Sequence, residues 1–448
     1  MPVTKGFPRS VLEKARKVAD EAEVYINFRE QLKIDVLNQK LESIDDVTDG
    51  GLSIRLIKDR KTGFSYTADL DEHSVDQAIE QALNNLKASQ ADIYFSFPEP
   101  RAQTTNIPLV DSGIGGTKLE DKIKLALEIE SSAYKSDKSI RKSEKIVYED
   151  ILSTTIIINS KGIDISYQKA ICGAFADVIA EKDGLMERGS WISYSNKYSM
   201  LDPVQIGTEA AKRAAMMLGA GQEKSGRASI LLSPWAATTL ISAIAPAFSA
   251  EYIQKGKSVF CGAQNKQVAG RKLTIIDSGV IERGIASVPY DDEGVPTGET
   301  VLIKDGVFLS PLHSYSTSKR SKADPTANSF RPSYRAQPEI QPTNLYIRPG
   351  SKAENELIDG ISKGFHVVNI MGAHTINPIS GDFSVGFSGS LIENGRITKP
   401  VRGMTIAGNI HDLFNHIEEI GSDIMFFPHN GNIGSPSVLI SNLAVSGI

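Results

Sequence analysis

The stretch Ile285-Ala-Ser-Val-Pro-Tyr-Asp-Asp-Glu-Gly-Val-Pro-Thr-Gly298, with Val301-Leu-Ile-Lys-Asp-Gly-Val-Phe308 close behind it, decides how this chain reads. Apolar residues 301–303 and 307–308 flank Lys304-Asp305-Gly306. An Asp-Gly pair between apolar runs is a hairpin signal, because both turn residues take positive φ. Asp291, Asp292 and Glu293 stand between prolines ahead of Gly294 and read first as a charged loop. The same texture extends outward. Short apolar runs at 230–232, 272–277, 300–304, 344–347, 384–393 and 437–446 alternate with Gly, Pro and Asp turns, including Glu393-Asn394-Gly395. From Ala228 onward the sequence predicts a β-rich domain whose sheet is covered on one side.

Upstream, helical and strand periodicities alternate. Val11, Leu12, Ala15, Val18 and Ala19 recur at helical spacing behind Ser10, a candidate N-cap. Residues 24–28 and 32–37 alternate as strands, and Gly50-Gly51 reads as a turn. Residues 52–56 and 63–68 read as a hairpin turning through 59–62, and an amphipathic helix at 74–88 completes a first unit, residues 1–95. The Pro-, Gly- and Thr-rich segment 98–116 reads as a linker or long surface loop. A second unit, 115–222, holds a long helix at 118–135 and a closing helix at 203–218. Between them runs an antiparallel meander of alternating segments at 147–151, 154–159, 163–169, 174–180 and 188–194. Its turns are Ser160-Lys161-Gly162 and Lys182-Asp183-Gly184. The third unit is 227–448. The fold class is α+β, with N-terminal mixed α/β units followed by a β-rich C-terminal domain.

Bulk composition narrows the function. A chain of 448 residues exceeds one ordinary core. A net charge of −5 and a pI near 5.9 leave no basic face for phosphates, so nucleic acid is not an expected partner. The lysine-rich stretch 135–145 is broken by Asp137, Ser139 and Glu144. The two cysteines, Cys172 and Cys261, are too few for a disulfide framework and fit a reducing cytoplasm. The N-terminal residues show no apolar signal region. The weakly polar run 233–250, interrupted by Pro234, Thr238, Thr239, Ser242 and Pro246, is too short and too polar for a membrane span. The expected location is cytoplasmic, with no membrane partner.

Three further segments follow the opening stretch in order: Ser380-Gly-Asp-Phe-Ser-Val-Gly386, Leu391-Ile-Glu-Asn-Gly-Arg-Ile-Thr-Lys-Pro400 and Met404-Thr-Ile-Ala-Gly-Asn-Ile410. Together they resemble the C-terminal domain of the TldD/PmbA peptidase family, and the resemblance extends more weakly over the first two units. It implies a TldD/PmbA-type fold for residues 227–448. TldD-like members carry His-Glu-x-x-x-His on a helix and a cysteine near the C-terminus. These resemble zinc ligands with a glutamate that activates water. PmbA/TldE-like members lack this set and pair with a TldD-like chain.

No histidine here is followed by glutamate. Gly256-Lys-Ser-Val-Phe260 resembles the family segment after the zinc helix. An ungapped count from it puts Ile241 and Pro246 in the histidine slots and Ser242 in the glutamate slot. None of these side chains can ligate zinc or act as a general base at neutral pH. Ser233 and Pro234 still start a helix as N-cap and first residue, and Pro246 ends or kinks it. No cysteine follows Cys261. His411-Asp-Leu-Phe-Asn-His416 repeats the spacing of the motif, but residues five apart on a regular helix point about 140° apart. Ile410, Leu413, Phe414, Ile417 and Ile420 read as the apolar stripe of that helix, flanked by His411 and His416, the remaining candidate metal ligands. His366 and His374 read as capping or packing residues. His313 precedes Ser314, Tyr315 and Ser316 without a nucleophile elbow, and residues 113–118 lack phosphate-loop spacing.

The resemblance therefore implies a subunit with no catalytic residues and no cofactor of its own. It implies a homodimer when alone, a TldD-like catalytic partner when one is present, and unfolded peptides as substrate. Exposed strand edges would hold such a peptide by strand addition. Asp291, Asp292, Glu293, Asp382 and Ser388 are the candidate interface or peptide-channel residues. Two other readings stay open. One is a self-sufficient metallohydrolase using His411 and His416. The other is a non-enzymatic regulator of DNA gyrase, since chains of this kind are labelled modulators of that enzyme.

Overall fold

The computed structural model of the protein describes residues 4, 6–103, 105–429 and 431–448. Six strands, Glu21–Leu37, Lys40–Lys58, Lys61–Thr67, Ile140–Asn159, Asp164–Lys182 and Leu185–Ser195, form one antiparallel sheet. Its order is third, second, first, fourth, fifth, sixth. The tight hairpins turn at residues with positive φ, Asn38 and Gln39, Asp59 and Arg60, then Asp183 and Gly184. Both N-terminal units contribute to this sheet, because Glu23 to Val36 pairs with Asn159 to Ile146. The short runs read from sequence are pieces of strands up to 20 residues long.

Gly50-Gly51 is not a turn but the middle of the second strand. A Cβ on Gly50 would meet the Phe28 ring at 2.2 Å, and one on Gly51 would meet the Tyr334 ring at 2.4 Å. Close neighbours, not chain reversal, require these glycines.

One face of the sheet is a helix-covered core. Val24, Ile26, Leu52 and Ile54 pack against the helices Phe7–Arg16 and Glu72–Asn85 through Val11, Leu12, Val75 and Ile79. Farther along, Ile34, Val36, Ile146 and Tyr148 pack against the helices Leu119–Ser136 and Pro203–Ala215. Segment 98–116 is strapped to the sheet. The Asn159 side-chain amide donates to the Pro98 carbonyl at 3.0 Å, and the Ala170 N–H to that of Leu109 at 2.9 Å.

The C-terminal domain holds two six-stranded sheets, where the sequence predicted one sheet covered on one side. Strands Gly226–Leu232, Lys363–Met371, Asp382–Glu393, Arg396–Asn409 and Val438–Ser446 form a ring, closed where residues 405–407 pair with 444–446. Closure removes the free edges from these five strands. The second sheet is built from Ile275–Ser278, Glu299–Lys304, Val307–Phe308, Asn344–Ile347, Met425–His429 and Gly431–Ser435. The expected hairpins at Asp305-Gly306 and Asn394-Gly395 are present, all four residues at positive φ.

The helix Pro234–Ile244 shares one core with both sheets, through Leu240, Ile241 and Ile244 against Ile347, Val385, Ile433 and Ile440. The helix predicted through Ile420 stops at Asn415, and Ile417–Ile420 is a strand paired with 438–440. Its apolar residues remain buried in the new conformation, so helical periodicity there was a coincidence of spacing. Among the described residues, no helix is long and apolar enough to cross a membrane.

Candidate functional site

Alternation along the strands sends Glu23, Tyr25, Asn27 and Arg29 to the face opposite the one that takes Val24 and Ile26. Register then sets Arg55 opposite Glu23, Ser53 opposite Tyr25, Gly51 opposite Asn27 and Asp49 opposite Arg29. The C-terminal domain docks on this polar face through residues 291–293 and 329–335. Arg331 donates to the Glu23 carboxylate and, at 2.7 Å, to the Asp292 carbonyl, and its own N–H donates to the Asp292 carboxylate at 2.7 Å. Arg55 donates twice to Glu23, at 2.9 and 2.7 Å, and reaches Glu293 at 3.3 Å. The Glu23 and Arg331 side chains are 1% and 0% exposed, so the charges rely on each other and not on water.

Burial alone would raise the Glu23 carboxyl, but Arg55 and Arg331 outweigh it and hold the group below its ordinary range. Asp292 is pushed up to about 6 by burial, with Arg331 opposing. Asp291 is raised well above a normal aspartate by burial and by neighbouring Glu293. It accepts from the N–H groups of Glu293, Val295 and Ser329, which shape its turn. The three acids are thus a buried junction between domains and not a solvated loop. The charge of this stretch, read from sequence as that of a loop, meets Arg55 and Arg331 of the same chain.

Two clefts border this junction. One, of about 360 Å³, lies between Arg55, Phe97, Glu293, Ser314 and Arg320, and its arginines are already paired, Arg320 with Asp92 and Arg55 with Glu23. The other, of about 390 Å³, is lined by Tyr25, Arg29, Lys169, Arg331 and Tyr334 among others. Burial pushes the Lys169 ammonium down to about 8, with Asp292 opposing. Sequence reading singled out none of Glu23, Arg55, Lys169 or Arg331. The strand alternation that puts polar residues on this face was visible, but the pairing register that aligns them was not.

At the slots assigned to the zinc motif, Ile241 is 3% exposed and lies in the core among Leu413, Phe414, Ile417 and Ile440. Ser242 is half-buried, and Pro246 is exposed in the short helical turn Ala245–Phe248. A hydrocarbon wall offers no donor to a zinc ion, so these residues do not fit one. Among the described residues, no three His, Cys, Asp or Glu side chains gather as a metal-holding group.

The remaining candidates are dispersed. Asp382 is exposed, and its carboxyl is lowered by hydrogen bonds from Asn409 and Ser380. Ser388 is buried beside Asn369, whose amide donates to it at 3.4 Å. Asn369 in turn accepts from Arg213, which stacks on Trp191 at 4.5 Å. His411 directs Nδ1 to the Val268 carbonyl at 3.4 Å and packs edge-on against Phe260. His416 caps its short helix by bonding the Asp412 carbonyl at 2.6 Å. In each of these two rings Nδ1 faces a backbone carbonyl of its own surroundings. Burial lowers His313 to about 4, where it contacts Thr317, and His366 pairs with Glu354 at 3.0 Å.

Comparison with known proteins agrees with this architecture along its length. Family models described as PmbA/TldA metallopeptidase domain 1, central domain and C-terminal domain match residues 22–86, 114–218 and 225–447. Metalloprotease PmbA of Escherichia coli O157:H7 is 26% identical, over 98% of this chain and 95% of its own. A metalloprotease TldD homologue of Haemophilus influenzae is 27% identical, over 89% of this chain and 87% of its own. The crystal structure of a Thermotoga maritima protein described as a modulator of a DNA gyrase superposes with a TM-score of 0.90 at 29% identity, covering 99% of this chain and 100% of that one. With all three domains matched in order, the chain belongs to the PmbA/TldD metallopeptidase family.

Proposed function

We propose that this chain is the non-catalytic, PmbA/TldE-like subunit of a TldD/TldE-type zinc peptidase complex that acts on unfolded peptides in the cytoplasm. Identity does not choose the branch, since 26% to a PmbA and 27% to a TldD homologue are equivalent. The observation that carries the reading is Ile241. At the first histidine slot the helix turns a hydrocarbon side chain into the core, packed against Leu413 and Phe414. The helix is kept as packing while the residues that would hold a metal are replaced. Partner binding, homodimerisation when alone and absence of a cofactor belong to this proposal.

The test is co-expression with a TldD-like chain that carries His-Glu-x-x-x-His. The expected result is one stable complex on size exclusion with light scattering, cleaving unfolded peptide, while this chain alone binds no stoichiometric zinc and cleaves nothing. One zinc per isolated chain, lost with His411→Ala, would install the metallohydrolase reading instead. Recovery of a topoisomerase and no peptidase subunit on co-purification would favour the gyrase-regulator reading.

A further inference from the structure

The cleft beside the interdomain junction collects donors that the fold leaves without acceptors. Register places Asp49, Arg29, Ser153 and Lys169 in one row across four adjacent strands, neighbours about 4.8 Å apart. Asp49 is already taken, because Arg335 grips both of its oxygens at 2.8 Å. Among the described residues, the Lys169 ammonium and the Arg29 guanidinium enter no ion pair. Arg331 and Tyr334 line the same space, and the Arg331 Nε and the Tyr334 hydroxyl are buried with no hydrogen-bond partner among the described residues. Asp49 is the one carboxylate among the residues lining this space of about 390 Å³.

We propose that this cleft binds a carboxylate, the free C-terminus of a peptide. Charge selects the carboxylate. Glu23 neutralises Arg331 and Arg29 lies at the exposed rim, so inside the rim Lys169 is, among the described residues, the cation without an ion-pair partner, with Asp292 acting on it only through its field. A single negative charge balances it, whereas a buried phosphate dianion would leave charge unmatched. Arg331 Nε and the Tyr334 hydroxyl then supply directed hydrogen bonds to the two oxygens. The walls select a peptide, because Tyr25, Ile151 and Ile171 offer an apolar surface to a side chain, while Asn27 and Ser153 can bond its backbone. That the carboxylate is a peptide's rests on the peptidase-subunit reading; the carboxylate preference itself rests on the cleft. A bound carboxylate also restores to the Lys169 ammonium the partner that the fold withholds.

The experiment is calorimetric titration of the purified full-length chain with acetyl-Ala-Ala-Phe bearing either a free carboxylate or a C-terminal amide. The acid should bind tighter by on the order of tenfold or more, the range of one charge-assisted hydrogen bond. Lys169→Met should abolish the difference and Lys169→Arg should keep part of it. Melting curves are expected to show both variants folded, since Lys169 holds no ion pair that folding needs. Acetate should compete weakly, and inorganic phosphate at the same concentration less well. Equal binding of acid and amide, an unchanged preference in Lys169→Met, or phosphate competing better than acetate would each overturn the assignment. If acid-selective binding holds but no TldD-like chain associates, the site stands and the subunit reading falls. If the complex forms and the amide binds equally well, the reverse is true.

Discussion

Replacing Arg331 by Met removes the cation that joins the C-terminal domain to the sheet while keeping a side chain of comparable reach. The side chain it replaces is wholly buried, and so is that of Glu23. Breaking a buried pair by deleting one partner costs about 3–5 kcal/mol. Glu23 keeps both bonds from Arg55, at 2.9 and 2.7 Å, so the lower end, about 3 kcal/mol, is expected. The Asp292 carbonyl also loses its 2.7 Å donor. Trp191 of the sheet lies 6.5 Å, ring to ring, from Trp235 of the C-terminal domain, so tryptophan fluorescence reports on domain contact during urea unfolding. Glu23→Gln in the same background completes a double-mutant cycle, with an expected coupling of about 1–3 kcal/mol. A variant within about 0.5 kcal/mol of wild type, or strict additivity in the cycle, would refute the idea that this pair holds the domains.

Three further outcomes are expected. Ile241→Asp places an unpaired carboxylate in the C-terminal core and should destabilise by about 4 kcal/mol or more in urea unfolding; an unchanged midpoint would remove the buried-helix account. Gly51→Ala drives a Cβ to 2.4 Å from the Tyr334 ring and from the Thr67 carbonyl, which should cost about 1–3 kcal/mol in thermal melts. Asp277 is raised to about 6 by burial, against hydrogen bonds from Asn328 and Thr343. An unfolded aspartate titrates near ~4, so the folded state holds the proton longer, and this group's contribution falls as pH rises from about 4 to about 6, by about 3 kcal/mol in all. Carboxyl carbon NMR should show the Asp277 midpoint near the upper value, and a midpoint in the ordinary aspartate range would contradict it.

What the sequence disclosed was local. The Asp305-Gly306 and Asn394-Gly395 turns, the meander through Ser160-Lys161-Gly162 and Asp183-Gly184, and the helix begun by Ser233 and Pro234 follow from short-range chemistry, and the structure has them. What stayed hidden depends on partners far along the chain. Gly50-Gly51 looks like a turn until Phe28 and Tyr334 are seen against it. Asp291 to Glu293 look like a solvated loop until Arg55 and Arg331 arrive, the first from more than 200 positions away. Lys169 looks like one surface lysine among many, because its meaning comes from a row shared with residues 49, 29 and 153.

Arg331 also ties the two halves of the reading together. Its terminal nitrogens bond Glu23 and the Asp292 carbonyl, its Nε is buried without a partner among the described residues, and the residue lines the cleft of Lys169. That cleft has walls from two sources, Tyr25, Arg29 and Lys169 on the sheet and residues 331–334 on the C-terminal domain. It therefore exists only while the domains are docked. A buried ion pair is a poor source of net stability compared with apolar packing, but separating its partners is costly, since it leaves charges without water. Here the Glu23, Arg55 and Arg331 lock keeps residues 331–334 and Lys169 on the walls of one cleft.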